Sequence, residues 1–452
     1  MTTTTSPEAA PPPALGSAVR KIFRRIVPLF TIMLIANQID RGNIAFAERQ
    51  LEADLGIGVA AYGLGAGLFF VAYAIFEVPS NMMLEKFGPK IWLTRIMITW
   101  GLVSAGMAFV QGTTSFYVLR FLLGIAEAGF FPAIIYYFSR WLPSGHRARA
   151  SAIFISGSSI ATIIAGPLSG ALLQLDGFLG MTGWQSMFLI EGLLSVVIGF
   201  IAWRLMDHSI DDATWLTADE KRALATTIDA EQAEREQRRE TGGAVSRWKL
   251  LLDPKILVFC WIFFAIALSI YAATFWLPKI VGRIGGLNDF EIGLLSAVPW
   301  VFAIGAMYVS GRLSDRSGRR KPWLVASLLT AALGTGLATF GSPWFALAAL
   351  CVGAMGFKSA SPLFWSIPQH YLDARISAPA IALINSLGNL GGFVAPTVFG
   401  LLEATTGSTE MGLWGLTACS VLAAVSVLLL RDGGEPRKHP APTGATPAPA
   451  TS

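Results

Sequence analysis

Twelve stretches of predominantly apolar residues recur along the chain, at 27–47, 62–84, 92–111, 115–138, 149–173, 185–205, 256–278, 292–312, 322–341, 343–366, 378–402 and 411–430. A hydrocarbon core of roughly 30 Å is crossed by about 20 helical residues, so each run has the length of a membrane-spanning helix. The alternative, buried helices of a large soluble protein, needs amphipathic stripes and many more polar residues. The chain is 53% hydrophobic and 14% charged, whereas soluble domains carry about 25% charged residues. The expected fold class is therefore all-α integral membrane, with twelve transmembrane helices sheathed in a lipid bilayer.

Lysine and arginine gather in alternate loops. Arg20, Lys21, Arg24 and Arg25 precede the first run; Lys86, Lys90 and Arg95 follow the second; Arg140, Arg147 and Arg149 follow the fourth; Arg312, Arg316, Arg319, Arg320 and Lys321 follow the eighth. The loops of opposite parity hold only Arg49, Lys279 and Arg283. The positive-inside rule then places both termini in the cytoplasm and the chain in the cell's inner (plasma) membrane as a multi-pass protein. The net charge of +5 belongs to these loops and predicts no nucleic-acid partner. Residues 1–26 and 431–452 are rich in Thr, Ala and Pro towards their outer ends, lack an apolar signal segment, and read as disordered cytoplasmic ends. Cys260, Cys351 and Cys419 lie singly in apolar runs, so neither a disulfide framework nor a metal site is expected.

Residues 206–255 form the one long polar insertion and divide the chain into an N-terminal half (27–205) and a C-terminal half (256–430), six runs each. The insertion contains "ADEKRALATTIDAEQAEREQRRE", expected to be a surface helix. Its mixed charges favour a solvated linker over a lipid-headgroup site. The halves repeat. "YGLGAGLF…SNMMLEKFGPKIW" has a counterpart in "IGLLSAVP…SGRLSDRSGRRKPW", with Gly63 and Gly293, and Gly88 and Gly318, each 230 residues apart, and Pro167 matched by Pro396 at nearly that offset. Duplicated halves around a midplane site are a transporter architecture.

Six ionisable residues stand out well inside runs: Asp40, Arg41, Glu77, Arg120, Glu127 and Lys358. A charge at a bilayer centre costs about 2.5–3.5 kcal/mol on insertion scales, so each should face a partner or a watery cavity. Asp40 and Arg41 are neighbours, about 100° apart on a helix. Arg120 and Glu127 are two turns apart and share a face. If that face meets the first run, the four charges satisfy one another around a cavity suited to coupled transport, since arginine binds carboxylate through a two-pronged fork. Lys358 either snorkels towards the cytoplasm or supplies a second anion contact, which would favour a dicarboxylate. The four histidines fall in loops or tails, and no hydrolase, zinc-protease or phosphate-loop motif is present; neither an enzyme nor a sensor is the favoured class.

"GRLSDRSGRRK" resembles the loop signature of the major facilitator superfamily, which implies a gating role for Gly311, Asp315, Arg316, Gly318 and Arg319. Further stretches, "DRGNIAFA", "GAGLFFVAYAIFEVPSNMMLEKFG", "RFLLGIAEAGFFPAIIYY", "GWQSMFLIEG" and "ALINSLGNLGGFVAP", are similar to the anion:cation symporter family within that superfamily. The likeness runs from about residue 20 to 430. It implies import of a small organic anion, such as a sugar acid, tartrate or an aromatic carboxylate, by proton symport with alternating access. It also implies that Arg41 grips the substrate carboxylate, that Asp40 and Glu127 carry protons, that Arg120 pairs with Glu127 in part of the cycle, and that Tyr73, Trp365 and Asn385 line the site. No cofactor is expected, only the proton gradient, and the chain is expected to act as a monomer. The rival reading is a proton-antiport exporter of lipophilic compounds. Its glycine-rich motif in the fifth run is incomplete here: Gly157, Gly166, Pro167 and Gly170 are present, but Thr162 occupies a glycine position.

Overall fold

The structure, a computed structural model, describes residues 13–240, 253–368 and 374–430. All its regular structure is helical. The N-terminal half comprises α1 (Pro13–Leu55), α2 (Val59–Phe87), α3 (Pro89–Gly106), α4 (Thr113–Glu127), α5 (Phe130–Trp141), α6 (Ser144–Leu173) and α7 (Gly183–Leu205). A connecting helix, α8 (Ala218–Glu240), follows. The C-terminal half comprises α9 (Pro254–Gly282), α10 (Asp289–Ser317), α11 (Arg320–Leu337), α12 (Pro343–Trp365), α13 (Ala374–Asn389), α14 (Gly391–Thr406) and α15 (Glu410–Leu429). Eleven helices, counting α4 with α5 and the end of α13 with α14, are long and apolar enough to cross a membrane. The ninth expected run, 322–341, forms α11, whose 18 residues open on Arg320 and Lys321.

Four expectations are corrected. Residues 13–26 are helical rather than disordered, because the arginines and lysine there alternate with Val19, Ile22 and Ile26, which are buried. The run 115–138 is not one helix. It breaks after Glu127, where Ala128 is extended and Gly129 takes φ +86°, a left-handed conformation that glycine adopts without a Cβ penalty. The run 378–402 likewise breaks near Leu390, between α13 and α14. Finally, α8 is a surface helix as expected but docks on α1 and is not a free linker. Leu224 and Ile228 are buried, Lys21 pairs with Glu220 at 2.7 Å, and Arg147 pairs with Glu231 at 2.9 Å.

The internal repeat reappears as two matching crossings between the halves. Gly63 of α2 lies against the backbone of Pro396 and Gly400 in α14, and Gly293 of α10 against the backbone of Gly166 in α6. Neither crossing leaves room for a Cβ. Both lie towards the end of the bundle opposite the basic loops. Ion pairs join the halves at that end: Arg49 with Asp289, and Lys279 with Glu48 at 2.7 Å. Lys279 also reaches Glu403 at 3.1 Å, and the Trp276 indole donates to Glu403 at 2.8 Å. The far end is thus sealed by close backbone packing and paired charge.

Candidate functional site

Two cavities of about 200 Å³ and about 300 Å³ lie between the halves. Gln38, Arg41, Phe70 and Tyr271 line both, so Arg41 sits where they meet. Its side chain is 22% exposed, and the guanidinium pairs with the fully buried Glu127 carboxylate, to which Asn37 also donates. The second Glu127 oxygen is buried without a partner. The break after α4 explains how Glu127 gets there: it ends its helix, and Ser80 fixes the turn by donating to the Ala128 carbonyl at 2.6 Å. Arg41 also lies over the Phe69 and Tyr73 rings, 5.2 and 5.0 Å from their centroids, within cation–π range.

Arg120 is buried, as its face-sharing with Glu127 predicts, but its partners differ from the expected one. It donates to the Gly65 and Ala66 carbonyls of α2 at 3.3 and 3.4 Å and lies 5.1 Å from the Phe69 ring centroid. In this conformation Glu127 is held by Arg41 instead. Phe69 therefore contacts both guanidiniums, a role the sequence did not signal.

Tyr73 and Asn385 line the larger cavity with Glu77, Ser386 and Asn389. Lys358 lines the smaller cavity with Arg41, Thr162 and Trp300; it faces the cavity instead of snorkelling out. Among the described residues no carboxylate lies within ion-pair distance of Lys358, and its nearest aromatic contact is Trp300 at 5.9 Å. Trp365 is not brought to either wall. Its ring packs against Phe263 at 4.7 Å and Phe364 at 5.4 Å. The missed lining residues are Asn37, Gln38, Phe70, Tyr271 and Trp300. Tyr271 carried the same signal as Tyr73, a polar-tipped ring inside an apolar run.

Asp40 turns away from both cavities, as the 100° step from Arg41 requires. It is buried against α3, where Ser104 donates to it. At the basic end, Gly318 caps α10 in the left-handed region at φ +65°, the same role that Gly88, 230 residues earlier, plays between α2 and α3 at φ +80°. Asp315, Arg316 and Arg319 are exposed and Gly311 has open space around it; the gating residues stand apart from the cavities. Among the described residues no group of three His, Cys, Asp or Glu is placed to hold a metal.

Comparison with known proteins agrees with this geometry. The family model of the Major Facilitator Superfamily matches residues 30–396. A protein of Agrobacterium vitis named for tartrate transport is 42% identical over 415 residues, covering 91% of this chain and 94% of its own length. A quinolone resistance transporter of Acinetobacter baumannii is 40% identical, covering 88% and 91%. Among solved structures, a bacterial homolog of the human lysosomal transporter Spinster, in an inward-facing and occupied conformation, superposes with a TM-score of 0.73 at 16% identity over 89% of this chain and 96% of its own.

Proposed function

The chain belongs to the major facilitator superfamily, in its anion:cation symporter-like branch, and is a multi-pass membrane transporter, not an enzyme; on that premise we propose that it imports a small organic dicarboxylate, tartrate being the leading candidate, together with protons. The observation that carries this reading is the pairing of cations in one small cavity. Arg41 and Lys358 both line a space of about 200 Å³, and among the described residues only Arg41 of the two has an acidic partner. Drug-sized ligands occupy roughly 300–1,000 Å³, so the space suits a short acid with a carboxylate at each end. Arg41 takes one carboxylate in its fork and Lys358 the other as a point charge.

The coupling follows from Glu127. An incoming carboxylate displaces Glu127 from Arg41. Glu127 is then a buried acid without a cation, which favours its taking up a proton. One anion and one proton thus enter the site together, and the transporter carries them across when the halves rock. In this reading the basic end faces the cytoplasm, α11 is a span as well and completes the twelve, the protein lies in the inner membrane, and it works as a monomer.

The quinolone resistance relative supports a second reading, proton-antiport export. Against it stand the two cavity cations and Thr162 at the glycine position. Uptake of labelled tartrate into vesicles, with and without an inward proton gradient, separates them: gradient-driven accumulation supports import. Gradient-driven expulsion of a lipophilic cation, with no tartrate accumulation, supports export.

A further inference from the structure

On the side of α1 away from the anion cavities lies a second polar cluster. Asp40, Asn43, Ser104, Ser169 and Glu191 are each no more than 3% exposed. Glu191, on α7, was not singled out by the sequence. Its carboxylate accepts from Ser169 at 2.9 Å and from the Asn43 amide at 2.9 Å. The same amide reaches Asp40 at 3.4 Å, and Ser104 donates to the same Asp40 oxygen. The other Asp40 oxygen is buried with no partner. Among the described residues no lysine, arginine or histidine lies within ion-pair distance of either acid. Arg120 and Glu127, both on α4, act on Asp40 electrostatically, and Asp40 is the charge that acts on Glu191. The helices packed on α7 add nothing else here: α3 and α6 contribute serines, and their own charges, Lys90, Arg95, His146, Arg147 and Arg149, sit in their first turns or close to them at the basic end.

An ionised carboxylate without a cation is strongly disfavoured away from water. Two that share a site titrate as a pair, not as independent groups. The donors present leave one oxygen of the pair unmatched, and one proton held by the pair removes one of the two uncompensated charges.

Building on the proton-symport reading, we propose that Asp40 and Glu191 form one proton-holding pair linked through the Asn43 amide, with Glu191 the positioning residue that sets how tightly Asp40 keeps its proton. Glu191 lines neither cavity, so it acts through Asp40 and never touches the anion.

Two measurements on the full-length protein test this. Infrared spectroscopy of the purified parent near neutral pH should show a protonated carboxylic-acid stretch that Glu191→Gln diminishes or shifts. In vesicles, the midpoint of the pH profile of proton-driven tartrate uptake should move to acid by about 1–2 pH units in Glu191→Gln, the size of one like-charge interaction across roughly 6–12 Å at an effective dielectric near 20. Glu191→Asp, which restores the acid, should return the profile towards the parent. The absence of a protonated carboxyl in the parent overturns the proposal without any variant. So does a Glu191→Gln protein whose band and pH profile both match the parent. If tartrate uptake proves indifferent to the proton gradient while the infrared band responds to Glu191→Gln, the transport reading fails and the pair stands.

Discussion

Replacing Glu127 by glutamine tests the coupling mechanism at its centre. The substitution keeps the shape of the side chain and an oxygen that accepts from Asn37, and removes the charge that holds Arg41. In the parent an anion must break a charge-assisted contact whose acid is fully buried and whose base is 22% exposed. Such contacts are worth about 1.5–3 kcal/mol, or roughly 10–150-fold in a binding constant. Glu127→Gln should therefore bind tartrate about 10–100-fold more tightly than the parent at alkaline pH, where the parent's Glu127 competes in ionised form. At acid pH the two should converge, because protonation already frees Arg41 in the parent. By linkage, the proton that the parent takes up on Glu127 when the anion binds should vanish from the variant. Calorimetric titration with tartrate in buffers of different ionisation enthalpy reads both quantities: affinity against pH, and proton uptake, which should fall by one. In vesicles the variant should exchange tartrate at equal concentrations yet fail to accumulate it against a gradient. Parent-like pH dependence of affinity, or parent-like accumulation, refutes the role assigned to Glu127 and leaves the Arg41 pair as a structural clamp.

Other perturbations probe the remaining parts. Arg41→Lys keeps the charge but loses the fork and should abolish measurable tartrate binding, with the purified protein eluting as the parent does; near-normal affinity contradicts the grip on carboxylate. Lys358→Met should weaken tartrate about 10–100-fold, the worth of one charge-assisted contact, while a monocarboxylate of similar size loses little; equal losses argue against a two-cation site. Gly293→Val forces a side chain into the backbone of Gly166. Overpacking of this kind costs about 1–3 kcal/mol, so the seal should open more often, seen as faster labelling of a cysteine placed at Thr162 by a membrane-impermeant reagent from the far side, in a background lacking Cys260, Cys351 and Cys419. Asp315→Ala, remote from both cavities, should slow turnover and leave tartrate affinity within about twofold; a defect confined to affinity speaks against a gating role.

Length and apolarity of runs are local properties, and they were enough to determine an all-helical membrane protein in two repeated halves. The repeat of Gly63 with Gly293 and Gly88 with Gly318 was legible because each glycine answers a backbone demand, close approach or positive φ, that recurs when the half recurs. Angular spacing alone also separated Asp40 from Arg41. What spacing could not supply was which faces meet. Arg120 and Glu127 share a face of α4, yet the chain breaks at Gly129 and α1 approaches, so Glu127 meets Arg41 while Arg120 goes to the carbonyls of α2. Trp365 and Trp300 are alike in sequence as aromatic residues in apolar runs; only the packing of α10 and α12 against α9 sends one into a ring cluster and the other to the cavity. Glu191 was invisible for the same reason. Its meaning lies in Asn43, Ser104 and Ser169, three residues on three other helices, and a partner set of that kind exists only once the helices have packed.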